Sequence, residues 1–425
     1  MKSSDLKERL KNGSLTERLE KIYIDNRVIK HQTQRYITAI EKFEEIYGET
    51  DIEIYSAPGR SEVCGNHTDH QHGEILAASI NLDALAVVSL SDENIIRVVS
   101  DGYDEICLST DDIEKKPEEE GTTAALIRGV MAGVLSRGYK LGGFKAYVTS
   151  EVLIGAGLSS SAAFETLIGT VISYMFNDGV IDAVTIAIIG QYAENVYFGK
   201  PCGLMDQMAC SVGNLVHVDF SDTMDPEVEK IDFDLNHHGY SLCITDTKGS
   251  HADLTDEYAA IPYEMKQVAN LFGREYLTGL TLKDLYSSMD MIREKCGDRA
   301  VLRAIHLITE NERVKRCVGC MKQDDIRGFL RCIKESGDSS YKYLQNVYCS
   351  SDVTHQNVSL ALSVSEQLLL DDGVCRVHGG GFAGTIQAFV KDDAVDRYLD
   401  GMDRIFGKGS CRVLKIRSFG GIKCF

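Results

Sequence analysis

A glycine- and serine-rich segment, IGAGLSSSAA at residues 154–163, lies between an extended segment and an apolar helix. Glycine lets a backbone approach a ligand closely because it has no Cβ. Serines at a helix N-terminus stand where free N–H groups and the helix dipole favour an anion. The segment therefore predicts a phosphate-binding loop, and a plain serine-rich helix cap explains the same residues equally well. It has neither the lysine of a P-loop nor the third glycine of a dinucleotide-binding loop.

A polar turn between two apolar strands, APGRSEVCGNHTDHQHG at residues 57–73, carries a high density of hydrogen-bonding side chains. Such a set fits the hydroxyl groups of a polyol, and we rank this interpretation first. An inert surface loop ranks second. A transition-metal site built from His67, Asp69, His70 and His72 ranks third, because the segment has no HExxH motif or comparable helix-face spacing.

A third segment, GKPCGLMDQ at residues 199–207, contains Asp206, and a second acidic residue, Glu194, precedes it. Gly-Lys-Pro is expected to end one helix and Cys-Gly to start another, which places Asp206 in a first helical turn. A carboxylate there either complements the helix dipole or, at a cleft, accepts a proton from a hydroxyl nucleophile. Glu194 is either a solvated helix residue or an oxygen ligand for Mg²⁺. Taken one at a time, neither residue identifies a function.

A second glycine-rich segment, HGGGFAG at residues 378–384, precedes a predicted strand, TIQAFV. Its glycines allow close backbone approach, either to a ligand or to a neighbouring domain. Both interpretations are open at this level.

The elements that must position these segments mix helices and strands without a regular βαβα alternation. An apolar rhythm at Tyr36, Ile37, Ile40 and Phe43 predicts one amphipathic helix within residues 1–50. A strand from residue 51 is expected to end at a Pro58-Gly59 turn, and short strands are expected at about 75–80, 84–91, 95–100, 105–109, 143–149, 215–220, 241–246, 385–390 and 412–417. Helices are expected at about 122–137 and 391–406 and through most of 255–370. This mixture favours an α+β fold over a doubly wound parallel sheet.

The composition excludes several classes of protein. The 425 residues include 45 Lys and Arg against 64 Asp and Glu, a formal net charge of −19, which argues against a nucleic-acid partner because phosphate backbones are bound by clustered basic residues. No run reaches the roughly 18 apolar residues of a membrane helix. The odd count of 13 cysteines, in a chain whose N-terminus lacks a signal peptide, predicts reduced thiols and a cytoplasmic location. An anionic substrate must then be held by backbone amides, a metal ion or isolated basic residues.

In this order, the four segments resemble the motifs of the galactokinase branch of the GHMP small-molecule kinases. GRSEVCGNHTDHQHGEIL resembles the galactokinase signature, IGAGLSSSAA the ATP-phosphate loop, GKPCGLMDQ the segment with the catalytic Asp, and GGGFAG the third family motif. The likeness spans about residue 36 to the C-terminus. It implies a two-domain α+β fold with the active site in the interdomain cleft, an extension at 1–35, and domains at 36–225 and 226–425.

The resemblance also implies transfer of the γ-phosphate of ATP to the anomeric hydroxyl of galactose, with Mg²⁺, by a monomer or weak oligomer whose partners are the sugar and ATP. Asp206 matches the catalytic Asp, Arg60 matches the Arg that steadies it, and Ser161 and Glu194 match the Mg²⁺ ligands. The residues that match the phosphate loop are Gly155, Ala156, Gly157, Leu158, Ser159, Ser160 and Ser161. Those that match sugar contacts are Arg60, Asn66, His67, Asp69, Gly203, Asp206 and Tyr258.

Three departures from the family pattern concern the sugar. The usual Gly-Glu-His-Thr-Asp-Tyr reads GNHTDH at residues 65–70, so Asn66 replaces a sugar-binding carboxylate and His70 replaces a Tyr. The usual Arg-Arg pair after Tyr258 is absent. An amide keeps an acceptor but loses a charge-assisted bond, about 1 kcal/mol or more. The alternatives are a kinase for an amino sugar, a pentose or a galactose derivative, and a non-catalytic sugar or ATP sensor. The sensor ranks last because all the matched catalytic and metal residues are present.

Overall fold

The computed structural model describes residues 1–153, 157–223, 225–249, 254–350, 352–382 and 384–425. Its α-helices are α1 (Ser3–Lys11), α2 (Thr16–Tyr23), α3 (Ile29–Tyr47), α4 (Thr123–Ser136), α5 (Ser160–Phe176), α6 (Ala183–Tyr192), α7 (Met205–Val212), α8 (Thr255–Leu271), α9 (Leu282–Ser287), α10 (Met289–Cys296), α11 (Asp298–Lys322), α12 (Ile326–Ser339), α13 (Asn357–Leu369) and α14 (Val395–Phe406). Turns of π-helix lie at Ala193–Phe198 and Ser340–Leu344, and 3-10 turns at Asp69–Gln71, Pro117–Glu119 and Asp392–Ala394. Over the described ranges, no helix is both long and apolar enough to cross a membrane.

The strands form two sheets. They are β1 (Glu53–Cys64), β2 (Glu74–Leu90), β3 (Ile95–Ser100), β4 (Ile106–Ser109), β5 (Phe144–Ser150), β6 (Leu215–Asp219), β7 (Glu227–Ile231), β8 (Tyr240–Asp246), β9 (Gly373–His378), β10 (Thr385–Lys391), β11 (Cys411–Leu414) and β12 (Ile422–Lys423). The larger sheet has the order β12-β1-β2-β5-β3-β4, with β6 paired to β2 and β7 to β6. The smaller sheet, β11-β8-β10-β9, is antiparallel throughout. The predicted α+β class is confirmed.

The strand that carries Arg60 is longer and less regular than predicted. The expected end at Pro58-Gly59 is wrong, because β1 continues to Cys64. Residues 75–80 and 84–91 likewise belong to one strand, β2, rather than to two. The antiparallel pairing of β1 with β2 shifts register between Pro58 and Arg60, and again between Glu62 and Cys64. Such bulges bend a strand and re-aim its side chains, and the first of them directly precedes Arg60.

The first three helices cover one face of the larger sheet. Buried apolar side chains of α1, α2 and α3 pack against Leu85 and Val87 of β2. The predicted amphipathic helix is α3, which buries Phe43 as expected. The Tyr23 hydroxyl of α2 donates to Asp83 Oδ2 at 2.9 Å. The residues expected to form an added extension are therefore part of the hydrophobic core on this face.

Helices α4 to α7 cover the opposite face, and α5 and α7 carry Ser160, Ser161 and Asp206. Ala86 and Val88 of β2 point into a core that includes Val130 of α4 and Leu167 of α5. Helices α5 and α7 both pack on β1 and β2. The N-terminal ends of these two helices are therefore held at fixed positions relative to Arg60.

The C-terminal half is built around the smaller sheet. Helices α13 and α14 bury apolar residues with it, while α8 to α11 form a separate apolar cluster. The division at 225/226 stays a prediction: β7 follows that position and still pairs with β6, and β12 returns to pair with β1. All 13 cysteines are free thiols.

Candidate active site

Arg60 and Asp206 form a bidentate ion pair between β1 and α7. Arg60 Nε donates to Asp206 Oδ1 at 2.6 Å, and Nη2 donates to Oδ2 at 2.7 Å. The remaining nitrogen, Nη1, donates to the carbonyl oxygen of Gly157. The Arg60 side chain is 7% exposed and that of Asp206 28%. Burial alone would raise the pKa of Asp206, but Arg60 and the Ser159 hydroxyl outweigh it and hold that pKa below its usual value.

The predicted phosphate loop is described from Gly157 onward, and Gly155 and Ala156 lie outside the described residues. Helix α5 begins at Ser160, as the serine-rich sequence predicts, with Ser159 before it at a left-handed φ of 59°. Ser159 Oγ donates to Asp206 Oδ2 at 2.6 Å. The start of α5, whose first N–H groups have no partner within the helix, therefore lies beside the ion pair.

Gly157 and Leu158 connect this loop to the rest of the site. Gly157 has a φ of 64°, and a Cβ on it would lie 3.1 Å from Thr385 Oγ1 and 3.2 Å from His378 Nδ1. A residue with a side chain would therefore be strained and crowded there. The Leu158 side chain is buried in the main core, and its carbonyl oxygen accepts the backbone N–H of Arg60 at 3.0 Å. The side chain of Leu158 thus packs in the core and does not face the site.

Ser161 and Glu194, the predicted Mg²⁺ ligands, are adjacent. Glu194 lies in the π-helical turn that follows α6, a type of turn that is frequent at functional sites. Ser161 Oγ donates to Glu194 Oε1 at 3.2 Å. Lys200 Nζ donates to the same oxygen at 3.1 Å, and the Lys200 side chain is 64% exposed. The buried carboxylate thus has a hydroxyl beside it and a counter-ion that reaches in from the surface.

Sequence reasoning missed two further polar residues of this cluster. Gln207 Nε2 donates to Glu194 Oε2 at 2.8 Å and to Glu165 Oε2 at 3.0 Å. Burial and the nearby Glu194 raise the pKa of Glu165. Within the described residues, Oε1 of Glu165 and Oε1 of Gln207 are buried without a hydrogen-bond partner. The position of Glu165 one helical turn after Ser161, and that of Gln207 next to Asp206, were the available signals.

The His67–Asp69 turn meets the segment that leads into α7. A Cβ on Gly203 would overlap the Asp69 carboxylate, so the two residues are in direct contact. His67 has a left-handed φ of 61°, and its Nε2 lies 3.0 Å from the carbonyl oxygen of Gly380. Burial and the neighbouring His70 lower the pKa of His67 to about 3. The neutral ring therefore donates from Nε2 to that carbonyl.

Tyr258, near the start of α8, packs on the C-terminal glycine-rich turn. Its hydroxyl donates to the carbonyl oxygen of Gly381 at 2.8 Å, and its ring meets Phe382 edge-on with centroids 5.1 Å apart. A Cβ on Gly380 would lie 2.7 Å from the Tyr258 ring. Tyr258 and His67 thus approach the same exposed glycine from two different elements.

Asn66, the other predicted sugar contact of the turn, is fully buried. Its Nδ2 donates to Glu62 Oε1 at 2.9 Å and to the carbonyl oxygen of Gly379 at 2.8 Å. Its Oδ1 accepts from Asn346 Nδ2 at 2.7 Å and from Ser340 Oγ at 3.2 Å. The structure therefore does not bring this amide to the open side of the site. A sugar contact by Asn66 stays a prediction that requires these bonds to be exchanged.

The transition-metal interpretation of the 57–73 turn gains no support. In the part of the chain that the structure describes, no group of three or more His, Cys, Asp or Glu side chains could hold a metal ion. His72 instead stacks on Tyr276 with ring centroids 3.7 Å apart, and His70 is exposed.

Known proteins resemble this chain over most of its length. The galactokinase galactose-binding signature matches residues 41–90, and the GHMP kinases N terminal domain matches residues 125–214. A galactokinase of Actinobacillus pleuropneumoniae is 30% identical over 365 residues, which are 84% of this chain and 90% of that protein. The chain belongs to the galactokinase family. A galactokinase of Streptomyces coelicolor is 29% identical over 381 residues, 89% of this chain and 95% of that protein.

Solved structures of the wider superfamily have the same fold. Lactococcus lactis galactokinase, crystallised with galactose, superposes with a TM-score of 0.77 at 23% identity and covers 90% of this chain and 98% of its own. Methanococcus jannaschii mevalonate kinase superposes with a TM-score of 0.58 at 13% identity and covers 86% of this chain and 98% of its own. The family predicted from the four segments is thus confirmed. The roles of single residues stay predictions.

Proposed function

We propose that this protein transfers the γ-phosphate of ATP to the anomeric hydroxyl of galactose, giving galactose 1-phosphate and ADP. Membership of the galactokinase family supports the reaction. The observation that carries the assignment to this site is the Arg60–Asp206 pair, held between β1 and the start of α7 and bonded to Ser159 at the start of α5. It puts a fixed carboxylate, a guanidinium and a helix N-terminus within one small volume.

Asp206 is proposed to orient the sugar hydroxyl that attacks the phosphate. Both of its oxygens already accept bonds, and its pKa lies below the usual value because Arg60 and Ser159 outweigh burial. A carboxylate with a low pKa is a weak base, and an efficient general base has a pKa near the working pH. These facts favour an orienting charge over full proton removal as the main contribution of Asp206. In phosphoryl transfer, positioning and charge neutralisation supply most of the catalysis.

The phosphates of ATP are proposed to bind at the start of α5. The first N–H groups of a helix have no partner within it and favour an anion, and Gly157 lets the backbone approach a phosphate because it has no Cβ. Arg60 adds the only positive charge that we assign to the transferred phosphate. This arrangement suits a chain of net charge −19, since binding does not require a broad basic surface.

Ser161 and Glu194 are proposed to hold the Mg²⁺ that accompanies ATP. A hydroxyl and a buried carboxylate 3.2 Å apart are hard oxygen donors of the type that Mg²⁺ prefers. The unpaired oxygens of Glu165 and Gln207 nearby add further acceptor capacity. Lys200 is the counter-ion of Glu194, and its side chain reaches in from the surface. When bound, the ion would neutralise charge on the ATP phosphates.

The sugar is proposed to bind beside the contact that His67 makes with the 379–381 turn. Asp69, which touches Gly203, the His67 ring and the Tyr258 hydroxyl are its proposed contacts, and Asp206 is proposed to meet the attacking hydroxyl. Carboxylate, imidazole and phenol groups are suited to bind vicinal hydroxyls. We further propose that the protein works in the cytoplasm as a monomer or weak oligomer, with its domains divided near residue 225.

A related sugar is a second candidate substrate, and the buried Asn66 is the observation that favours it. The residue that stands where the family has a sugar-binding carboxylate uses its whole amide within the protein. A hydroxyl that such a carboxylate would bind therefore has a different environment here. A coupled assay of ADP release across galactose, galactosamine, arabinose and 2-deoxygalactose separates the two candidates. Highest kcat/KM with galactose supports the first, and activity elsewhere without galactose turnover rejects it.

A further inference from the structure

A buried histidine, His378, joins the two halves of the chain next to the phosphate loop. It ends β9 in the smaller sheet and contacts β1 of the larger sheet. Its Nε2 lies 3.3 Å from the backbone nitrogen of Glu62 and 3.2 Å from Ser61 Oγ, while its Nδ1 lies 3.0 Å from Thr385 Oγ1. A backbone N–H can only donate, so Nε2 is the acceptor and Nδ1 carries the proton. The imidazole is thus neutral and fixed in one tautomer.

The same ring forms the wall behind Gly157. A Cβ on Gly157 would lie 3.2 Å from His378 Nδ1 and 3.1 Å from Thr385 Oγ1, so the loop backbone rests on these two side chains. The carbonyl oxygen of Gly157 in turn accepts from Arg60 Nη1, and Arg60 binds Asp206 through its other two nitrogens. A continuous chain of contacts therefore runs from His378 through Gly157 to the ion pair.

The charges around the ring agree with a neutral, structural imidazole. Burial lowers the pKa of His378 well below its usual value, and the nearby Arg60 and Arg376 lower it further. A proton on Nε2 would also point at the Glu62 N–H. The ring consequently offers a fixed acceptor and a fixed donor, which a flexible side chain would supply less reproducibly.

We propose that His378 is a positioning residue. It fixes the position of Gly157, and through Gly157 that of Arg60, for phosphoryl transfer. This inference rests on the proposed function, since it assumes that Gly157 borders the ATP phosphates. Within the described residues, the His378 ring bonds to Ser61, Glu62 and Thr385, and neither Asp206 nor a proposed sugar contact is among these partners. Its loss should therefore change ATP binding and the transfer step while leaving sugar recognition in place.

The test uses two pairs of variants in the full chain. His378→Leu removes all three hydrogen bonds of the ring, and His378→Gln keeps an acceptor for the Glu62 N–H. Thr385→Val removes the hydroxyl behind Gly157 at nearly constant volume, and Thr385→Ser retains it. His355→Leu is the surface control, since His355 is 79% exposed and bonds to Asp352 of its own loop. Each variant is measured for kcat, for KM of ATP and of galactose, and for the midpoint of thermal unfolding.

We expect His378→Leu and Thr385→Val to lower kcat/KM for ATP by about 10- to 100-fold, the effect of a small displacement of a reacting group. The KM of galactose should stay within about twofold, and the Gln and Ser variants should recover most of the loss. A merely structural role would lower the unfolding midpoint without changing the kinetics of the folded enzyme. Folded His378→Leu with wild-type kinetics, or with equal changes in both KM values, would overturn the proposal.

Calorimetric titration with Mg·ATP separates this inference from the proposed function. If the wild type binds Mg·ATP but releases no ADP with any sugar, the proposed function fails. The affinity for Mg·ATP then still tests whether His378 positions Gly157. Weaker Mg·ATP binding by His378→Leu than by His378→Gln supports the positioning role of His378, and equal binding refutes it. If the wild type binds no ATP at all, both proposals are wrong.

Discussion

Removal of the Arg60 guanidinium is the most informative single perturbation of the site. Arg60→Met keeps much of the side-chain length while deleting two bonds to Asp206 and one to the Gly157 carbonyl. Arg60→Lys is the matched control, because it keeps the charge but cannot form the bidentate ion pair with Asp206. The two variants separate the effect of charge from that of geometry.

The expected magnitude follows from the burial of the pair. Loss of one partner of a buried ion pair costs about 3–5 kcal/mol. Because Asp206 remains 28% exposed, we expect the free energy of unfolding to fall by the lower end of this range, about 3 kcal/mol. Loss of a charged donor aimed at the transferred phosphate should separately lower kcat/KM by roughly 100-fold. Arg60→Lys should lose about tenfold, since one charge-assisted bond remains.

The pH dependence supplies a second readout with a definite sign. Arg60 helps to hold the pKa of Asp206 below its usual value, against the effect of burial. Without Arg60, burial dominates and the pKa rises. Because the site needs an ionised Asp206, activity falls as pH drops through that pKa. The acid limb of kcat/KM should therefore move to higher pH in Arg60→Met and less so in Arg60→Lys.

Steady-state ADP release between pH 4.5 and about 8 tests both statements, with thermal unfolding measured alongside as a check of folding. An Arg60→Met enzyme that is folded, within threefold of wild-type kcat/KM, and unchanged in its acid limb would refute the reasoning about the ion pair.

Three further predictions concern the proposed metal site and the packing of helix α2 on the larger sheet. Glu194→Gln should weaken Mg·ATP binding at least about tenfold and leave metal-free ATP binding unchanged by calorimetry; equal losses would remove Glu194 from the metal site. Tyr23→Phe should lower the free energy of unfolding, measured by urea denaturation, by about 1–2 kcal/mol. Its kcat, measured in the kinetic assay, should be unchanged. Burial raises the pKa of Asp83, but Arg35 and Arg417 outweigh it and depress that pKa, so its stabilisation is present at neutral pH and lost on acidification. Asp83→Asn should therefore be less stable at pH 7 and lose less stability on acidification to about pH 3; parallel curves would contradict this.

Local chemistry in the sequence predicted much of the site. Glycines and serines that start a helix, and an Asp that follows Gly-Lys-Pro by a few residues, place Ser160 and Asp206 in first turns, where the structure has them. These expectations depend on short-range rules of capping and helix termination. The helix starts agree with these rules, although no side chain caps either helix and the Ser159 hydroxyl bonds to Asp206 instead.

Expectations that depend on long-range pairing fared less well. Pro58-Gly59 has the composition of a turn, yet β1 runs through it because β2 pairs on both sides of a bulge. The short strands β7, β9 and β12 were missed, since each is defined by its partner rather than by a strong apolar alternation. Tertiary pairing overrode the local signal in each case.

The environment of Asn66 was equally out of reach of the sequence. Two of its partners, Asn346 and Gly379, lie 280 and 313 residues away along the chain. Residue type predicted a polar contact, and only the fold determines that the contact is internal. The same holds for His378, whose significance depends on the meeting of β1 with β9.

The central claim is that this site phosphorylates galactose through Asp206. Its most direct test is a ³¹P NMR time course of wild type and Asp206→Asn with ATP, Mg²⁺ and galactose. We expect the wild type to form galactose 1-phosphate and ADP in equal amounts, and the folded variant to form neither above the uncatalysed rate. Galactose 1-phosphate made at a comparable rate by Asp206→Asn, or no sugar phosphate from the wild type, would contradict the claim.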